Sequence, residues 1–194
     1  ISHSDTKKGV MNELYHMVRM RMLQNKARLI KNTTGKNSGR ILDIGTGTGY
    51  FAHTMQNKGW SVEAIEKSEQ ARSFAKKNFK LGVKDESGLN DFKAGSFDAI
   101  TLWHVMEHLE HLDETWERLH ELLTDNGYLI VAVPNCSSYD GQKYKEFWAA
   151  YDVPRHLWHF TPDTMQKFSD KHHFTLTNYL PMPFDAFYVS ILSE

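Results

Sequence analysis

The stretch Arg40-Ile-Leu-Asp-Ile-Gly-Thr-Gly-Thr-Gly-Tyr50 decides how this chain folds. Its first five residues form a short apolar run of the kind that makes a buried strand, and the glycines at 45, 47 and 49 break that run. Tyr50 to Lys58 then has the pattern of a helix, with Gly59 as its stop. A glycine-rich turn between a strand and a helix is where α/β folds hold a ligand. The dinucleotide fingerprint is absent, because the position three after Gly47 is Tyr50 where that pattern needs glycine. Asp43, two residues before the first glycine, would repel a diphosphate, so a ligand with a cationic end suits the turn better.

Outward from this turn, strands alternate with helices. Trp60 to Glu66 reads as the next strand and Ser68 caps a helix through Asn78, with at most a short strand over Leu81 to Lys84. Phe97 to Trp103 is a strand. Val105, Leu109, Leu112, Trp116, Leu119 and Leu123 keep three-and-four spacing, which predicts one helix over all of them. Asp125-Asn-Gly127 turns the chain into a strand at Tyr128 to Val133. Thr161-Pro162 is an N-cap followed by proline at the first helical position, opening a helix to His172, and Phe174 to Leu180 is expected as a last strand. Upstream, residues 10–31 form an amphipathic, Met-rich helix. The expected fold class is α/β: a doubly wound, mostly parallel sheet with helices on both faces, formed by residues 1–194 as a single domain. Its chemistry belongs just beyond Ile44, Glu66, Trp103 and Val133, at the carboxyl ends of the strands.

Composition narrows the partners. The 194 residues are 40% hydrophobic and 24% charged, enough for a core, and 23 basic against 24 acidic residues lack the positive footprint of a general nucleic-acid or anionic-membrane binder. A single cysteine, Cys136, forms no internal disulfide or multi-thiolate zinc site and fits a reducing, cytoplasmic setting. No apolar run reaches the roughly 18 residues of a membrane span. The first residue is Ile1, and the start is expected to be trimmed.

Glu66 ends its strand 23 residues after Asp43, where nucleoside-binding folds place an acid against the ribose hydroxyls. A ribose, no diphosphate and a charged tail describe S-adenosylmethionine. From Arg40 to Leu180 the chain resembles the class I S-adenosylmethionine-dependent methyltransferases, through Asp43-Ile-Gly-Thr-Gly-Thr-Gly49, Glu66, Phe97 to His108, and Leu122 to Pro134. Within them, His104-Val-Met-Glu-His108 with Pro154-Arg-His-Leu-Trp-His-Phe-Thr161 is similar to a bacterial small-molecule group related to the ubiquinone-pathway O-methyltransferases. The resemblance implies that Asp43, Gly45, Thr46, Gly47, Gly49 and Tyr50 pass the methionine part of the cofactor and that Glu66 holds its ribose. Leu102, Trp103 and His104 would line the methionyl side. S-adenosylhomocysteine is the implied product. The family's sheet ends in a strand hairpin, for which Ala186 to Leu192 is the remaining candidate, or else the hairpin is incomplete.

The acceptor is expected to be a small molecule methylated most readily at oxygen, with His104, His108 or His156 taking its proton, since imidazole titrates near neutral pH. On one continuous helix His104, His108 and His111 share a stripe beside the apolar face. His104-x-x-Glu107-His108 resembles the Glu-x-x-Glu-His element of some metal-assisted O-methyltransferases, with His104 in place of the first glutamate. No metal is expected, because that helix turns Glu107 away from its apolar face and no cysteine or paired carboxylate lies nearby. Residues 136–160 hold Tyr139, Tyr144, Phe147, Trp148, Tyr151, Trp158 and Phe160, which reads as a lid or acceptor pocket. The alternative is a cofactor-binding regulatory or scaffolding module without turnover.

Overall fold

In the computed structural model, residues 3–193 are described. Strands β1 (Arg40–Ile44), β2 (Ser61–Ile65), β3 (Val83–Lys84), β4 (Phe97–Trp103) and β5 (Leu123–Ala132) form a parallel sheet in the order β3-β2-β1-β4-β5. β1 is the hub: Asp43 lies in register with Ala64 on one side and Thr101 on the other. Crossovers lead first from β1 toward β3 and then back to β4, so strand order reverses between β1 and β4, the place where such sheets open a ligand crevice. The doubly wound parallel fold expected from the sequence is present.

Helices cover both faces. On one, α1 (His3–Thr34) and α2 (Tyr50–Asn57) bury Leu23, Ala27, Ile30, Phe51 and Met55 against Ile41, Trp60 and Ala99. Leu23, Ala27 and Ile30 are spaced by four and three, the stripe that lies on one side of a helix. Met17, upstream on the same helix, is exposed. On the other face, α4 (Leu112–Leu122) and α6 (Pro162–Lys171) pack Trp116, Leu119, Leu122 and Met165 onto Leu42, Ile100 and Leu102. α3 (Glu69–Phe79) lies beside β2 and β3, started by Ser68, whose hydroxyl accepts from the Ala71 N–H. Thr161 caps α6 reciprocally: its hydroxyl accepts from the Thr164 N–H, and the Thr164 hydroxyl accepts from the Thr161 N–H. Among the described residues no helix is long and apolar enough to cross a membrane.

Three expectations need correction. The helix predicted from Val105 begins only at Leu112. After β4 the chain turns through His104 at φ +58°, makes a 3-10 turn at Met106–His108, and enters α4 through His111. Val105, Met106 and Leu109 still cover the same core, so an irregular path leaves the same apolar spacing as a helix. The last strand predicted over Phe174 to Leu180 is irregular, with Phe174 turned edge-on to Trp116. Ala186 to Leu192 lies within α7 (Pro183–Ser193). Pro181 and Pro183 flank that junction and offer no N–H to a ladder, and no closing hairpin occurs among the described residues. In place of the expected Asp125-Asn-Gly127 turn there is an irregularity within β5, where the register jumps from Phe97–Leu123 to Ala99–Tyr128.

The segment after β5 carries α5 (Tyr139–Tyr144) and two 3-10 turns. Its two ends are tied together, Asn135 bridging to Phe160 and the Cys136 N–H donating to the Phe160 carbonyl. Trp148 and Phe160 are buried while Tyr139 and Phe147 are exposed, so part of this aromatic group is core.

Candidate active site

Asp43 is fully buried at the end of β1 and accepts a 2.7 Å hydrogen bond from the Thr101 hydroxyl. Burial pushes its carboxyl up to about 6, against that hydrogen bond and the field of Lys26. The turn that follows uses its glycines for different reasons. At Gly45, φ is +67° and a Cβ would stand 2.3 Å from the Val105 side chain, so only glycine fits beneath the loop after β4. At Gly47, φ is +56° and a Cβ would meet nothing, which leaves open space over the turn. Gly49 caps α2, and the Thr46 N–H continues the sheet by donating to the Ile65 carbonyl. Glu66 reaches across from β2: its carboxylate accepts from the Gly47 N–H and the Ser68 N–H, both at 2.8 Å.

An S-adenosylmethionine molecule fits these features. The open face of Gly47 admits its backbone, Glu66 has lone pairs left for two ribose hydroxyls, and Asp43 supplies a negative field for a cationic end. Other expected contacts are placed differently. Tyr50 packs beneath the Arg19 guanidinium and against Phe79. Leu102 is wholly in the core, its backbone in register between Ile44 and Val131. Trp103, the last residue of β4, lies edge-on to Phe51 with the Lys26 ammonium 4.4 Å from its ring centre.

The three histidines separate into two roles. His104 is flanked by carboxylates, with Nε2 3.3 Å from Asp185 and Nδ1 3.6 Å from Glu107. Burial opposes its protonation, but the two acids prevail and raise its pKa to about 9. The two acids thus favour the protonated form, in which the ring has no lone pair to accept a proton. His108 and His156 are brought together across 47 residues of chain, their rings 4.6 Å apart. Each donates Nδ1–H to a main-chain carbonyl, His108 to Arg155 at 2.9 Å and His156 to Ala150 at 2.8 Å. That bonding leaves both Nε2 atoms as acceptors. Asp152 lies 3.8 Å from His156 Nε2.

Glu107 is the feature the sequence misplaced. Expected on the outer side of a helix, it is 1% exposed, and neither carboxylate oxygen has a hydrogen-bond partner among the described residues. One ligand atom each from Glu107, His108 and His156 falls within 4.8 Å of the others, a set able to hold a metal ion. The signal for it was the adjacency of Glu107 and His108; the helical assignment concealed it. His111, the third member of the supposed stripe, merely precedes α4.

A cavity of about 270 Å³ opens beside Trp103, walled by α1 and by residues 180–185. A second, of about 200 Å³, lies between α4, α6 and Trp158 to Phe160 of the segment after β5. The first helix thus contributes to the larger space and the aromatic segment to the smaller.

Comparison with known proteins agrees with this geometry. The family model described as a methyltransferase domain matches residues 15–179. An uncharacterized methyltransferase of Staphylococcus carnosus is 24% identical over 74% of this chain and 69% of its own length. The ubiquinone biosynthesis O-methyltransferase of Pelagibacter ubique is 31% identical over 66% of this chain and 58% of its own length, and that of Caulobacter sp. is matched over only 41% of its length. Among solved structures, a S-adenosylmethionine-dependent methyltransferase of Archaeoglobus fulgidus superposes with a TM-score of 0.65 at 19% identity, over 90% of this chain and 84% of that one. A Thermotoga maritima protein described as a possible histamine N-methyltransferase gives 0.65 at 21%, over 86% and 77%. With the family model covering the sheet, the glycine turn and the loop after β4, this chain belongs to the S-adenosylmethionine-dependent methyltransferases.

Proposed function

We propose that this chain moves the methyl group of S-adenosylmethionine to an oxygen of a small-molecule acceptor. The observation that carries the reading is the pairing of His108 and His156 at the end of β4, both bonded to main-chain carbonyls through Nδ1, on the same sheet edge as the Glu66–Gly47 tie. When bound, the cofactor supplies a methyl group already activated on a sulfonium. The protein's part is mainly alignment, which can contribute about 7–11 kcal/mol, while a base adds roughly 10²–10⁴-fold. Glu66 and the glycine turn fix the donor. His108 or His156 takes the hydroxyl proton at Nε2, and the main-chain carbonyls on Nδ1 stabilise the resulting imidazolium. His104, held as a cation between Asp185 and Glu107, orients the loop and keeps the proton it has.

The Glu107 carboxylate, buried with no hydrogen bond and only the His104 ion pair at 3.6 Å, favours a second reading of the same residues, in which Glu107, His108 and His156 hold a divalent ion that lowers the acceptor's pKa. A nitrogen-containing set of this kind suits zinc or manganese better than magnesium.

The test begins with binding. S-adenosylhomocysteine should raise the melting temperature, and Glu66→Ala should weaken it by about 1.5–3 kcal/mol, the range for hydrogen bonds to a charged group. Unchanged affinity in that variant would remove Glu66 from the site. Chelator-treated protein is then given a panel of hydroxylated aromatics. Turnover that survives and falls in His108→Gln supports the base. Turnover restored by zinc or manganese, with Glu107→Gln losing the metal-induced stabilisation, supports the ion. Cofactor binding with no methylated product supports a regulatory or scaffolding module.

A further inference from the structure

The larger cavity has a one-sided chemistry. Its wall is Met22, Leu29, Trp103, Leu180, Met182 and Phe184 on the apolar side, with Lys26 and Asp185 as the charged groups. Asp185 is already engaged by His104. Lys26 has no carboxylate within ion-pair distance among the described residues, and its ammonium rests on the Trp103 ring at 4.4 Å. The indole N–H of that tryptophan is also buried without an acceptor. At the wall of an apolar cavity Lys26 therefore lacks an anion, at the strand end where a methyl acceptor approaches.

We infer that this cavity receives the acceptor as an apolar small molecule carrying one anionic group, a carboxylate for example, seated on Lys26. The inference rests on the methyltransferase reading above and names its substrate class. Burial lowers the lysine's pKa, opposed by Asp185 and Asp43, and an anionic ligand would restore the charge balance that burial disturbs. The ring beneath the ammonium holds it toward the cavity without neutralising it. The cofactor's own amino-acid carboxylate is the other source of the same chemistry, and the two are separable.

The probes are 4-phenylbutyrate and its neutral amide, titrated calorimetrically into protein saturated with S-adenosylhomocysteine. The acid should bind about tenfold tighter than the amide to the unaltered chain, and Lys26→Met should bring the two within about twofold. Lys26→Met should leave the affinity for methylthioadenosine unchanged, which reports an intact cofactor pocket. Equal binding of the two probes, a preference that persists in Lys26→Met, or no binding of either refutes the inference. So does a variant that loses S-adenosylhomocysteine but keeps methylthioadenosine, which lacks the amino-acid end: the anion is then the cofactor's. Failure of S-adenosylhomocysteine to bind the unaltered chain would instead refute the function on which the inference rests.

Discussion

Alanine at Gly45 and at Gly47 should have separable effects, although both glycines belong to one turn. Each sits at positive φ, +67° and +56°, where a side chain costs about 1–2 kcal/mol. At Gly47 that is the whole cost to stability, because a Cβ there meets nothing. At Gly45 the Cβ would lie 2.3 Å from Val105 Cγ2 and 3.2 Å from Cγ1, adding an overpacking term of about 1–3 kcal/mol. Gly45→Ala should therefore lose about 2–5 kcal/mol and Gly47→Ala about 1–2. At about 2–4 °C per kcal/mol for a chain of this size, the melting temperature should fall roughly 4–20 °C in the first and 2–8 °C in the second. Combining Gly45→Ala with Val105→Ala removes the clashing methyls, so the double variant should be more stable than the sum of its singles by about 1–3 kcal/mol. Cofactor affinity should show the reverse order of sensitivity, since the Gly47 methyl projects into the space proposed for the ligand. Urea unfolding with and without S-adenosylhomocysteine measures both. Equal destabilisation of the two variants, or strict additivity with Val105→Ala, would refute the packing argument. Normal cofactor affinity in Gly47→Ala would take the ligand away from the turn.

Asp43→Asn should stabilise the free protein in alkaline solution while weakening S-adenosylhomocysteine. A carboxyl raised by burial from 3.8 to about 6 favours folding while protonated, so its contribution is complete below 3.8 and disappears as pH rises through about 6. The difference corresponds to about 3 kcal/mol, and the variant should lack this fall between about pH 4 and 6 in urea titrations at stepped pH. A curve parallel to that of the unaltered chain would contradict the assigned burial. Thr161→Ala removes the half of the α6 cap made by the Thr161 hydroxyl, leaving its N–H on Thr164, and should cost about 0.5–2 kcal/mol, visible as a lower melting temperature with S-adenosylhomocysteine affinity unchanged. A loss of cofactor affinity there would mean that α6 supports the site directly.

The parts legible in the sequence were those in which local chemistry and global packing agree. Arg40–Ile44 and Phe97–Trp103 are apolar on both faces because helices cover both sides of the sheet, and Thr161-Pro162 carries its own helix-start chemistry. The loop after β4 was illegible for a specific reason. The residue that breaks the helix is His104 in the left-handed region, and histidine there gives no glycine-like warning. Once the chain was read as helical, Glu107 pointed outward, and His156, named as the distant ligand that a metal would need, had no carboxylate to complete the set. Pro181 and Pro183, just beyond Phe174 to Leu180, are the signal in the sequence against a closing hairpin. Lys26 was hidden because a lysine on an amphipathic helix ordinarily faces water; what makes it unusual is the Trp103 ring and the wall of residues 180–185, both distant in sequence.

The segment after β5 is fastened to the loop after β4 at several atoms. The Leu157 and Trp158 N–H groups donate to the Glu107 carbonyl, the Trp158 indole donates to the Leu109 carbonyl, and His108 returns a bond to the Arg155 carbonyl. These bonds link two stretches that each hold part of the proposed base or ion site, so His156 has no independent swing. Opening the segment requires the loop carrying Glu107 and His108 to loosen with it, and their amide protons should exchange with solvent as one cooperative unit with a shared rate. Access to the proposed centre and assembly of that centre are in this way expected to be a single event, with one barrier in place of two.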